Sequence, residues 1–176
     1  RIRLFQTHSF RIWSAGCSSG EEVYTLTMLI NDFFQEELHN IDLGILATDI
    51  SLTVLQQAKE GIYSAERIKE VPPALKQRYF NQLSPDLFEV KENLKSMVLF
   101  KRLNLMREIF PFKGKFDAIF CRNVMIYFDT PTKEALTQRL KDNLKPGGYL
   151  FIGHSESLNR NKCGLTYIRP AIYRNG

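Results

Sequence analysis

Short apolar runs alternate with amphipathic stretches along this chain. Ile12-Trp13-Ser14-Ala15 leads into Gly16-Cys17-Ser18-Ser19-Gly20, after which Val23, Leu26, Thr27 and Ile30 recur at helical spacing. The pattern predicts a strand, a tight turn and a helix over 21–37. A second strand, 41–49, ends in Asp49; Ser51 is placed to cap a helix with Val54, Leu55 and Ala58 on one face, and Gly61 to close it. This β-α-β-α rhythm predicts a parallel sheet with right-handed crossovers.

The rhythm breaks over 63–100, where Pro72-Pro73, a short helical stretch, a Ser84-Pro85-Asp86 turn and strand candidates at 87–90 and 97–100 predict an inserted subdomain, partly an antiparallel hairpin. It resumes at 116–121, a run apolar enough for burial on both faces. Pro131 then opens a helix through Leu144, Lys145-Pro146-Gly147-Gly148 reads as a turn, and 149–153 as another buried strand. Two short strands split by Pro170 are expected at the sheet edge.

Composition narrows the class. With 176 residues, 44% of them hydrophobic and 24% charged, the chain suffices for one domain with a core, assigned here to 1–176. No run approaches the roughly 18–20 apolar residues of a membrane span, and 1–6 show no apolar h-region, so neither membrane insertion nor a signal peptide is expected. The first strand begins so early that the chain reads as cut from a longer one. The net charge of +5 comes from bases interleaved with acids, a solvated surface rather than a nucleic-acid face. Cys17, Cys121 and Cys163 form no C-x-x-C pair, and His8, His39 and His154 have no ligand spacing, so no disulfide framework and no metal site are expected. Lone thiols fit a reducing cytoplasm.

Three readings of the glycine turn compete. In the first, Gly16 and Gly20 let the backbone approach a cofactor, and Asp49, at the end of the next strand, accepts hydrogen bonds from ribose hydroxyls. Glu21 and Glu22 at the helix start would repel a pyrophosphate, so a dinucleotide is disfavoured and a cationic, phosphate-free cofactor such as S-adenosylmethionine is favoured. In the second, G-x-S-x-G around Ser18 is a nucleophile elbow, with Asp117 and His154 following in hydrolase order; the elbow on a first strand, and the unexplained Asp49, count against it. In the third, the turn is purely structural. Polar Asn104, Arg122 and Asn123 just past apolar strands lie where ligands of open sheets sit, and they favour the first reading. Singly, Arg122 reads as a surface ion pair, Asn123 as a cap and Tyr127 as core packing. The segment Gly153-His154-Ser155-Glu156-Ser157 reads as a rim of the same edge.

The blocks Trp13-Ser14-Ala15-Gly16-Cys17-Ser18-Ser19-Gly20-Glu21-Glu22, Ala47-Thr48-Asp49-Ile50, Ala58-Lys59-Glu60-Gly61-Ile62-Tyr63, Phe116-Asp117-Ala118-Ile119-Phe120-Cys121-Arg122-Asn123-Val124-Met125-Ile126-Tyr127-Phe128 and Pro146-Gly147-Gly148-Tyr149-Leu150-Phe151-Ile152-Gly153-His154-Ser155-Glu156-Ser157 closely resemble the CheR family of chemotaxis-receptor methyltransferases. The resemblance implies an α/β class I methyltransferase fold, Rossmann-like, with a mostly parallel seven-stranded sheet, flanking helices and a small inserted β-hairpin subdomain. It implies methyl transfer from S-adenosylmethionine to receptor glutamates, leaving S-adenosylhomocysteine. The partner would be the cytoplasmic domain of methyl-accepting chemotaxis receptors, met by a cytoplasmic monomer. By the family pattern Gly16, Glu22, Asp49, Asn104, Leu105, Arg122 and Asn123 would hold the cofactor, and Tyr127 would stand near the methyl group as the catalytic candidate. A non-catalytic cofactor-binding module is the alternative. Two departures stand out: the family's N-terminal helical domain and its Phe-Phe-Arg-like linker do not occur in this sequence, and 80–90 lacks the longer glycine-containing turn through which some members dock a receptor tail.

Overall fold

The computed structural model describes residues 9–176; residues 1–8, with the opening hexapeptide and His8, lie outside the described residues. The chain enters through β1 (Ser9–Ala15), turns at the glycines and continues into α1 (Glu21–Phe34). This helix stops short of Glu37: the backbone turns at Gln35 (φ +47°) into a 3-10 segment, Gln35–Asn40. Next come β2 (Asp42–Asp49) and α2 (Leu52–Glu60), the latter capped by Ser51, whose side chain accepts the Val54 N–H, and ended by Gly61 in the left-handed region. Then follow β3 (Ile62–Ser64), α3 (Pro73–Tyr79), β4 (Phe80–Ser84), β5 (Leu87–Val90), the single turn α4 (Glu92–Lys95) and β6 (Val98–Arg102). The chain closes with β7 (Phe116–Cys121), α5 (Thr130–Asp142), β8 (Leu144–Ile152), β9 (Thr166–Arg169) and β10 (Ile172–Arg174).

The main sheet has seven strands in the order β6-β2-β1-β7-β8-β10-β9. Pairings from β6 to β8 are parallel, and β10 and β9 add an antiparallel edge. Because β1 pairs with both β2 and β7, strand order reverses beside it, and the carboxyl ends of β1 and β7 face a topological switch point.

Alternation along the strands sends residues to opposite faces. Ile12 packs with Val23, Tyr24, Leu55 and Ala58 under α1 and α2, whereas Trp13 packs with Leu136 and Leu140 of α5 on the other face. Trp13 is fully buried, edge-on to Phe110 and Phe112, and its indole N–H donates to the Thr48 hydroxyl at 2.9 Å. A rigid core thus fixes the strand that feeds the glycine turn.

Three local expectations change. The hairpin β4–β5 is joined by β3, giving a separate three-stranded antiparallel sheet. The strand expected at 97–100 is not in that insertion: β6 pairs in parallel with β2 and forms the main sheet's edge, with Phe100 turned into the core. Lys145–Gly148 does not reverse the chain but bulges within β8, where the pairing with β7 jumps from Phe116–Leu144 to Ala118–Tyr149. Gly147 takes φ +78° there, and a Cβ on Gly148 would stand 2.9–3.1 Å from three carbonyl oxygens.

Candidate functional site

The glycine turn is welded to β2. Gly16 and Cys17 both donate their N–H to the Thr48 carbonyl, at 2.8 and 2.9 Å. Gly16 has φ +83°, and a Cβ there would lie 2.5 Å from a Val124 methyl. Gly20, at φ +95°, would press a Cβ against Ala58 and the Tyr63 hydroxyl, each at 3.0 Å. Only glycine suits both positions.

Asp49 is held by the backbone on both sides: the Ser18 N–H donates to Oδ2 and the Ser51 N–H to Oδ1, each at 3.0 Å. Each carboxylate oxygen keeps a second acceptor site. Glu22, on the first turn of α1, accepts from the Ser14 hydroxyl at 3.1 Å through Oε1 and from Arg122 at 3.0 Å through Oε2. Arg122 is thereby neutralised by a carboxylate rather than offered to a phosphate. Glu21 also borders the site, its carboxylate paired with Arg67 and bonded by the Ser19 hydroxyl.

Beyond β6 the chain is tied back by the Leu103 N–H to the Asp49 carbonyl at 2.9 Å. Asn104 accepts the Met106 N–H through its side-chain oxygen, and Leu105 is buried. After β7, Asn123 takes φ +59°, and Met125 anchors the next turn in the core. Tyr127 is 81% exposed.

These segments enclose a cavity of about 700 Å³ at the switch point. Gly16, Glu22 and Asp49 line one side, Asn104 and Leu105 a second, and Arg122, Asn123 and Tyr127 the third. Every residue that the CheR resemblance marks for cofactor or catalysis therefore borders one cavity, whereas Gly20 of the turn does not line it. Cys17, Met106 and Val124 border it too without having been singled out. Burial, reinforced by the Asp49 and Glu22 carboxylates, pushes the Cys17 thiol up to about 12, so it is a neutral wall.

The hydrolase arrangement is not assembled. Ser18 lines the cavity, but Asp117 sits at the opposite, amino end of β7, bonded to Lys145 and the Arg11 N–H at 2.8 Å each. His154 is exposed and does not line the cavity. Among the described residues no cluster of His, Cys, Asp or Glu suits a metal ion, and no helix is long and apolar enough to cross a membrane.

The donor set fits a cationic nucleoside. Three acidic residues, Glu21, Glu22 and Asp49, border the cavity, and its arginine is already paired with Glu22. The model of the CheR methyltransferase S-adenosylmethionine-binding domain matches residues 1–171. The chain belongs to the CheR methyltransferase family. Its cofactor is S-adenosylmethionine.

Among CheR relatives, the chemotaxis protein methyltransferase of Borreliella burgdorferi is 54% identical over 174 residues, covering 99% of this chain and 61% of that protein. Chemotaxis protein methyltransferase 1 of Pseudomonas aeruginosa is 45% identical over 152 residues, 85% of this chain and 55% of its own length. The Escherichia coli chemotaxis protein methyltransferase is 38% identical over 93% of this chain and 58% of its own. The chain thus spans little more than half the length of these relatives. Of solved structures, PKMT2 from Rickettsia typhi in complex with AdoHcy superposes with TM-score 0.51 at 17% identity over 81% of this chain and 20% of that one. The glycopeptide N-methyltransferase MtfA with sinefungin gives 0.50 at 13% over 82% and 43%. Both show the shared class I methyltransferase fold.

Sequence reasoning also missed a residue that braces this CheR site from outside the cavity lining. Glu156, read only as part of a rim, accepts N–H groups from Gly153, Asn123 and Ile126. The available signal was its place: like Asp49, which ends β2, it is an acid near the carboxyl end of a buried strand, four residues beyond β8.

Proposed function

We propose that this chain is the catalytic domain of a protein-glutamate O-methyltransferase, which esterifies glutamate side chains on the cytoplasmic domain of chemotaxis receptors. The observation that carries the reading is the single cavity bordered by Asp49, by the Arg122–Glu22 pair and by exposed Tyr127, in a chain whose relatives are named chemotaxis protein methyltransferases. Residues 1–176 would be one methyltransferase domain carrying a small insertion, working as a monomer in the cytoplasm.

Asp49, braced by two backbone N–H groups, would accept the ribose hydroxyls, and Asn104 and Leu105 would border the base. Gly16, Glu22, Arg122 and Asn123 would enclose the amino-acid end. When bound, S-adenosylmethionine supplies an electrophilic methyl group that an ionised carboxylate takes directly. A glutamate is already ionised at pH 7, so the chain need supply no strong base. Its contribution is alignment and exclusion of water from the attacking oxygen. Tyr127, exposed and bordering the cavity, would orient the incoming carboxylate through its hydroxyl.

The test is methyl transfer by the full-length protein from radiolabelled S-adenosylmethionine to a receptor cytoplasmic fragment, read as base-labile methyl ester. Label released as methanol by mild base, and abolished when the acceptor glutamates are changed to alanine, supports the reading. Cofactor binding with no transfer to any receptor fragment would instead support a regulatory module.

A further inference from the structure

Glu156 lies outside the set of residues lining the cavity, yet it controls two strand exits at once. Its Oε2 accepts the Gly153 N–H at 2.6 Å and the Asn123 N–H at 3.1 Å, and its Oε1 accepts the Ile126 N–H at 3.1 Å. Two of these three donors belong to the loop that carries Asn123 and Tyr127 to the cavity. Asn123 holds φ +59°, a left-handed conformation that asparagine tolerates, and its N–H donates to the Glu156 carboxylate. The fit is close as well: a Cβ on Gly153 would meet Asn123 Oδ1 at 2.4 Å and the Asn123 nitrogen at 3.0 Å.

We propose that Glu156 is a positioning residue for methyl transfer: its carboxylate, acting through the backbone of Asn123 and Ile126, sets Tyr127 against the cavity. The inference rests on the transferase reading above. The chemistry requires a carboxylate. Three N–H groups need acceptors on both oxygens, and an amide in its place offers one oxygen and turns an NH2 toward a donor.

The test compares Glu156→Gln with the wild-type full-length protein. Amide hydrogen exchange at Asn123 and Ile126 is expected to speed up about tenfold or more, with the amides of β1 and β7 unchanged. On a receptor fragment kcat is expected to fall about tenfold or more while KM for the fragment changes little. In a Tyr127→Phe background the same substitution should cost clearly less, because both act through one group. Should Glu156→Gln unfold, Glu156→Asp, which keeps the charge and shortens the reach, carries the same comparison. Unchanged exchange at Asn123 and Ile126, or fully multiplicative losses with Tyr127→Phe, would overturn the inference. If the wild type transfers no methyl group at all, the transferase reading fails, and the exchange data still decide whether Glu156 braces the loop.

Discussion

Tyr63, on the edge strand β3 of the inserted sheet, donates its hydroxyl to the carbonyl of Ser19 in the glycine turn at 2.6 Å. The bond is buried, and burial holds the phenol well above its ordinary value, so it remains a donor throughout the physiological range. Arg67, from the same segment, adds a bond to the Ser19 hydroxyl at 2.7 Å and pairs with Glu21. The insertion therefore supports the cofactor turn and does not merely decorate the sheet.

Removing that support should be measurable. Tyr63→Phe leaves the Ser19 carbonyl without its buried partner and is expected to cost about 1–3 kcal/mol in denaturant unfolding. S-adenosylhomocysteine affinity should fall with it. Unchanged stability and affinity would mean that the turn is held by β1 and β2 alone.

Gly16 and Val124 make a second contact that can be taken apart. Gly16→Ala combines a left-handed backbone, costing about 1–2 kcal/mol, with a clash against the Val124 methyl. The double change Gly16→Ala, Val124→Ala should recover the clash and leave the backbone cost, so the double mutant should bind cofactor better than Gly16→Ala. Equal behaviour of the two would show that the backbone term dominates.

Alkaline pH gives an independent handle. The Cys17 thiol rises from 9.0 in the unfolded reference to about 12 in the fold. The folded chain thus holds this proton more tightly, so the contribution is fully present below about pH 9 and is lost as pH rises toward 12. Burial shifts Tyr24, Tyr63 and Cys121 in the same direction. The denaturation midpoint should be nearly level at neutral pH and fall steadily above about pH 9, less steeply in Cys17→Ala. A midpoint that stays level to pH 11 would contradict these burial effects.

Much of the site could be read from the sequence because its signals are local. A strand running into Gly16–Gly20, and an acid ending the next strand, are patterns of adjacent residues. Glu22 and Arg122 could each be picked out, but not their pairing, which spans 100 positions. Glu156 escaped because its partners are backbone N–H groups, two of them in another loop, and backbone donors leave no trace in side-chain identity. In the fold, β6 was misplaced because the run at 97–100 looks the same in a hairpin and at a sheet edge. Pro146-Gly147-Gly148 announces unusual backbone freedom without saying whether the chain reverses or bulges. β3 has only three residues, too few for a period to show.

The insertion's short β4–β5 turn at Pro85-Asp86 contains no glycine. We expect the full-length protein to work without docking a receptor tail peptide. Titration with the receptor's C-terminal pentapeptide should give no saturation in the micromolar range. A micromolar Kd would contradict this.

Calorimetric titration with S-adenosylhomocysteine, wild type beside Asp49→Ala, tests the proposed cofactor site most directly. One molecule should bind per chain, and Asp49→Ala should weaken binding at least tenfold while the protein stays folded by circular dichroism. Wild-type affinity in Asp49→Ala, or no binding by the full-length wild type, would contradict the assignment of this cavity.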